Sequence, residues 1–202
     1  MSIDWFRRFA EIPGVAYEGP GVDRRRLKGH NAVPEVHTSD RNEDVGGPPQ
    51  TLWWGNGSAS PAHERAFVDW NAMPTAKVLR NVAEALEVPG QATDYHFAIQ
   101  GAATALWSRR RAEPEVLDDV ERLCWLDIRL IQARPDAVSD EYRPKGGFYS
   151  VSAFKTLITL YEREGALREA LEVATLAEWF DQLPEKAEEL RERLAVLEAE
   201  DA

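Results

Sequence analysis

The sequence predicts a mainly α-helical chain preceded by an irregular or small-β segment, and three features carry that reading. Helix-breaking residues cluster early: positions 11–60 hold 8 of the 13 glycines and 5 of the 12 prolines, so no helical apolar period survives there. From Ser60 onward, apolar side chains recur at helical spacing in segment after segment. The stretch from Pro114 to about Ala133 is apolar most of the way round, as a helix is when it packs on more than one side.

The chain therefore divides into an irregular Gly/Pro-rich segment, 1–60, and a helical domain, 61–202. Within the first segment, Gly14 to Tyr17 and Thr51 to Trp54 have the aromatic and β-branched content of strands, and the second runs into a Gly-Asn-Gly turn. A short helix is expected after Ser60 and Pro61, with Ala62, Ala66, Phe67 and Trp70 on its apolar face. Pro74 and Thr75 open a second helix that buries Val78, Leu79, Val82 and Leu86 and is closed by Pro89-Gly90. A third runs from Asp94 to about Arg111. The apolar helix from Pro114 follows and forms the centre of the core. Two prolines and two glycines in 135–149 interrupt the pattern, and helices resume over Val151–Glu164, Ala166–Asp181 and Pro184–Ala199. The last of these carries only a narrow stripe, Ala187, Leu190, Leu194 and Leu197, which suits a terminal capping helix.

Residues 153–182 contain the most specific pattern in the chain. Phe154, Leu157 and Ile158 form a ridge, Tyr161 closes the first helix, Gly165 makes the turn, and Ala170, Ala174 and Ala177 line the second. Small side chains let two antiparallel helices approach closely, and the aromatic fills the wedge at the open end. This segment resembles a tetratricopeptide (TPR)-like repeat. It departs from the family at Ala174, where a larger residue is usual, at Ile158, where a small one is usual, and at Pro184, which comes two residues late. The pair of helices spanning Asp94–Ala133 has the same layout but lacks the small-residue pattern, and its first helix has Trp107 near its end. The resemblance implies an α-solenoid-like stack of helical hairpins whose first helices line a partner-binding face. On the first helix of 153–182 that face would present Ser152, Lys155, Thr159 and Glu162. Lys155 matches a lysine used by relatives that clamp a peptide carboxylate, and Thr159 stands where those relatives carry asparagine.

Charge and composition narrow the function classes. The net charge is −11, and the acidity lies toward the C-terminus. Residues 150–202 alone carry a net −7, while 61–112 carry +1. Such a surface opposes nonspecific phosphate binding. A single cysteine, Cys124, sits inside an apolar helix and reads as a small buried hydrophobe in a cytoplasmic protein. No apolar run has signal-peptide or membrane-span length. The histidines, His30, His37, His63 and His96, show no metal-site spacing, and no HExxH, CxxC, GxSxG or P-loop occurs. No cofactor and no metal are expected.

The expected role is therefore a non-enzymatic adaptor or scaffold that binds a peptide or protein partner. Trp53 and Trp54 would be anchors for it if exposed. One alternative is a nucleic-acid-associated regulator using Arg24, Arg25 and Arg26 with the helix over Pro74–Pro89, which resembles the closing helices of a repressor-type helix-turn-helix domain. Another is an enzyme with a site between the N-terminal segment and the helices. Arg109, Arg110 and Arg111 end a helix, where the helix dipole favours positive charge.

Overall fold

A computed structural model describes residues 23–38, 50–54, 59–139 and 147–200. Among these residues the protein is mainly helical, with helices packed on helices. Seven α-helices follow one another: α1 (His63–Ala66), α2 (Thr75–Leu86), α3 (Ala92–Arg109), α4 (Leu117–Ala133), α5 (Ser152–Glu164), α6 (Leu167–Trp179) and α7 (Lys186–Glu200). No helix among the described residues is long and apolar enough to cross a membrane.

The strand expected at Thr51 to Trp54 is present as β2 (Gln50–Trp53). Its partner is β1 (Glu35–Thr38), antiparallel, with Val36 opposite Leu52. Gly14 to Tyr17 lies outside the described residues. The N-terminal segment is tied to the helices: Leu27 joins the main core, and Trp54 is only 8% exposed in a cleft with Gly29, Pro61 and Glu64.

The chain leaves α1 after a single turn. Ser60 caps it, its Oγ accepting the His63 N–H at 2.9 Å, but Phe67 already has a non-helical backbone. Trp70 consequently swings under α3, where its indole N–H donates to the Ala66 carbonyl at 2.8 Å. Gly101 on α3 makes room for it, since a Cβ there would lie 2.3 Å from the Trp70 Nε1. Phe67, expected on the apolar face, is instead 56% exposed.

Helix α4 lies at the centre, as its all-round apolarity requires, with Val120, Leu123, Ile128, Leu130 and Ile131 buried. It packs antiparallel on α3, which contributes Tyr95, Ala98, Ile99, Ala102 and Leu106 to the buried surface. Small residues, unexpected in this hairpin from its sequence pattern, are present on its first helix, where Ala98, Ala102 and Ala105 are buried. In the second hairpin, Phe154, Leu157 and Ile158 of α5 meet Ala170, Val173, Ala174 and Ala177 of α6. Gly165, at φ +76°, reverses the chain between them, and Ala166 N–H donates to the Tyr161 carbonyl at 2.8 Å. Only the first half of the expected α7 stripe is covered: Ala187 and Leu190 are buried, while Leu197 is 45% exposed.

Candidate functional site

The side chains at which α3 and α5 meet define the most developed surface of the helical body. Gln100 on α3 accepts the Ser152 N–H at 2.7 Å, and Thr104, one turn on, lies 3.5 Å from the Ser152 hydroxyl. Further along, the Arg163 guanidinium reaches to 5.9 Å from the centre of the Trp107 ring. Residues 152, 155, 159 and 163 share one face of α5 by helical spacing. Ser152, Lys155 and Thr159 therefore stand beside α3, with Lys155 exposed.

Next to this junction is a groove of about 370 Å³ between α3 and the segment after α1. Phe67, Trp70 and Phe97 form its apolar wall, and Asn71, Gln100 and Thr104 supply polar groups. The wall is continuous with other rings: Phe67 and Phe97 lie 5.3 Å apart, and the His63 ring lies tilted at 4.4 Å from Phe67. His63 is held by Asp94, whose Oδ1 accepts its Nδ1–H at 3.0 Å. The other oxygen of Asp94 accepts from the Ser60 hydroxyl at 2.7 Å and the Gln91 N–H at 2.8 Å. The carboxylate thereby ties α1 to the start of α3, and the serine hydroxyl and the histidine ring both bond to it, the hydroxyl receiving only the backbone N–H of His63. That geometry braces the fold and does not activate the serine as a nucleophile.

The other candidate residues are distributed elsewhere. Glu162 is ion-paired with Lys186 at 3.0 Å and with Arg193, so it joins α5 to α7. Trp53 is 44% exposed and Trp54 is buried, both away from the α3–α5 face. Arg24–Arg26 form a short 3-10 turn in which Asp23 accepts the backbone N–H of Arg25 and pairs with the Arg26 side chain at 3.0 Å. Helix α2, the helix-turn-helix lookalike, buries Val78, Val82, Ala85 and Leu86 in the core.

The arginine triplet at the end of α3 separates into different roles. Arg109 staples α3 to the turn before α2, donating to the Thr75 hydroxyl at 3.0 Å and to the Trp70 and Met73 carbonyls. Arg110 lies 4.0 Å over the Trp107 ring, on the same indole that Arg163 approaches. Burial and the nearby charges of Arg163 and Arg111 lower the Arg110 pKa from its ordinary value. Sequence reasoning missed this grouping, because Arg163 is more than fifty positions away and only the packing of α5 on α3 brings it in.

Where α4 meets the C-terminal half of α5 the charge reverses. Asp118, Glu121, Glu164 and Glu169 line a second groove with Leu117, Leu160 and Tyr161. Among the described residues no group of three or more His, Cys, Asp or Glu side chains is arranged to hold a metal ion. No protein-family model matches the chain, and no curated protein or solved structure matches it significantly.

Proposed function

We propose that the chain is a non-enzymatic interaction module, a TPR-like stack of hairpins, that docks an extended peptide segment of a partner protein along the face shared by α3 and α5. The observation that carries this reading is the aromatic groove at Phe67 and Phe97 lying directly beside the Thr104–Ser152 junction. An exposed ring on a preformed apolar wall, rimmed by amide and hydroxyl groups, is the usual composition of a small docking groove. From Phe97 to Arg110 the face runs about 20 Å along α3, enough for roughly six extended residues. An apolar side chain would occupy the groove, and an anionic group would lie toward Lys155 and the arginines.

The test is capture of a partner from native extract by the full-length chain, by Phe67→Ala and by Lys155→Glu. Phe67 is largely exposed, so its truncation should leave the fold intact while reducing capture at least tenfold. Lys155→Glu should weaken capture in a salt-sensitive way. Undiminished capture by both variants would move the docking surface elsewhere.

A further inference from the structure

We propose that Arg110 and Arg163, which converge on Trp107, form with the adjacent Arg111 a binding site for a phosphomonoester, presented by the partner that docks along the α3–α5 face. The source of the phosphate rests on the docking reading above; the site itself does not.

The charge here is unbalanced. In a chain of net charge −11, two guanidinium groups converge on one indole, with Arg111 next in sequence to the first, and among the described residues none of the three pairs with a carboxylate. Several arginines elsewhere are matched by a carboxylate, Arg26 by Asp23, Arg122 by Asp119, Arg134 by Asp136, Arg168 by Glu198 and Arg191 by Glu188, while Arg65 and Arg109 are engaged by carbonyl oxygens of the fold. What holds Arg110 is the indole face and a hydrogen bond from its Nη1 to the Trp107 carbonyl at 2.7 Å. A cation–π contact fixes a guanidinium without neutralising it, so the remaining N–H groups keep their capacity for an anion. The Arg110 Nε is buried and has no hydrogen-bond partner among the described residues, so the group is positioned but not fully satisfied. Gathering like charges without a counter-charge costs free energy, and a bound anion relieves it.

The number of arginines selects the anion. One bidentate guanidinium satisfies a carboxylate, whereas a phosphomonoester carries close to two charges and three acceptor oxygens and is matched by several arginines. The acidic groove between α4 and the C-terminal half of α5 argues against a long polyanion, since a nucleic-acid strand running on from the site toward it would meet Asp118, Glu121, Glu164 and Glu169. A single phosphate group on a peptide reaches the arginines without crossing that surface.

The experiment is a calorimetric titration of the full chain at low salt with three probes. These are inorganic phosphate, a short acetylated alanine peptide carrying one phosphoserine, and a single-stranded oligonucleotide. Saturable binding of phosphate and tighter binding of the phosphopeptide are expected, with no binding of the same peptide carrying unmodified serine. Lowering the pH from about 7.5 to about 5.5 should weaken the phosphopeptide severalfold, because the second phosphate proton binds near pH 6. Arg111→Gln and Arg163→Gln, which keep the Arg110–Trp107 contact, should each reduce affinity about tenfold or more. Phe67→Ala should leave phosphate binding unchanged, so that failure of the docking face and failure of this site are read separately. If free phosphate binds and the phosphopeptide binds no better, the site takes a free anion and the partner is not its source. Absence of phosphate binding, binding indifferent to Arg111 and Arg163, or binding of the oligonucleotide alone would overturn the proposal.

Discussion

Between α3 and α4 the contact surface combines alanines with Tyr95, Ile99 and Leu106, and it encloses a fully buried, hydrogen-bonded histidine–aspartate pair. The His96 Nδ1–H donates to Asp127 Oδ1 at 2.7 Å. Between α5 and α6 the buried surface is wholly apolar, Phe154, Leu157 and Ile158 against Ala170, Val173, Ala174 and Ala177. Two hairpins of one chain thus reach the same close approach by different routes. In the second, small side chains face large ones and shape alone sets the fit. In the first, a hydrogen-bonded polar pair inside the interface adds a directional constraint, and with it a vulnerability, because His96 Nε2 and Asp127 Oδ2 have no further partner among the described residues.

That difference can be broken most forcefully at Asp127. Asp127→Ala leaves His96 buried without its partner and should cost about 3–5 kcal/mol of stability. Phe154→Ala in the second hairpin should cost about the same, 3–5 kcal/mol, for a different reason, a cavity. The two are told apart by a second change. The double substitution His96→Leu/Asp127→Leu removes both polar groups and should recover most of the loss, since a buried pair replaced by apolar groups is often neutral or stabilising. Urea unfolding of the wild type and the three variants measures this directly. A cost under about 1 kcal/mol for Asp127→Ala would mean that the pair is not an organising contact.

The contrast also explains which parts of the fold are legible in the sequence. The α5–α6 hairpin can be read almost residue by residue, because its determinants, Tyr161, Gly165, Ala170 and Ala177, lie in a short local pattern. Helix α4 is legible as the core because its apolarity is continuous. The His96–Asp127 pair is not, since its members are 31 positions apart and each looks like an ordinary polar residue on a helix. The same holds for the candidate site. Helical spacing alone places Ser152, Lys155 and Thr159, but the aromatic groove depends on α1 stopping after Ala66, and the arginine grouping depends on α5 lying beside α3. The same spacing puts Glu162 on the open face, and its partners on α7 become visible only once the helices are packed.

Glycine serves the two hairpins differently, which gives a second and smaller test. At Gly101 on α3 the need is space for Trp70, so Gly101→Ala should displace the indole and cost about 1–3 kcal/mol, with a change in tryptophan fluorescence. At Gly165 nothing lies within 4 Å of the point where an added methyl would sit, but φ is +76°. Gly165→Ala should therefore cost about 1–2 kcal/mol through backbone strain alone, leaving the fluorescence unchanged. Equal fluorescence changes in both would contradict the distinction.

The joint between the hairpins titrates. Tyr161 on α5 donates to Glu121 on α4 and accepts from the Trp125 indole at 2.7 Å. Burial, followed by the hydrogen bond to Glu121, pushes the phenol up to about 12, and the Trp125 bond acts the other way. A raised phenol means that the folded state favours the neutral form. Its contribution to stability is therefore complete below the ordinary tyrosine value of about 10 and is lost as the pH rises toward about 12. Ultraviolet phenolate titration should show one late tyrosine, and Glu121→Gln should move it back toward the ordinary value. A late tyrosine that ignores this substitution would assign the shift to burial alone.

The smallest expected effect concerns Glu162, and it separates bracing from binding. Glu162 and Lys186 are each roughly a quarter exposed or less, and the lysine pKa is raised even though burial opposes it, because Glu189 and Glu162 both bond to the ammonium. A pair this close to solvent contributes about 0–1 kcal/mol, and high salt reduces it. Glu162→Gln should thus lower stability by less than about 1 kcal/mol, with the loss largest at low salt, and should leave partner capture intact. Lys155, two turns earlier on α5 and free of any role between helices, should behave in the opposite way, with unchanged stability and weakened capture. If Glu162→Gln weakened capture as much as Lys155→Glu does, the docking face would extend past Arg163 onto α7, and the charge pairs there would belong to the binding surface as well as to the fold.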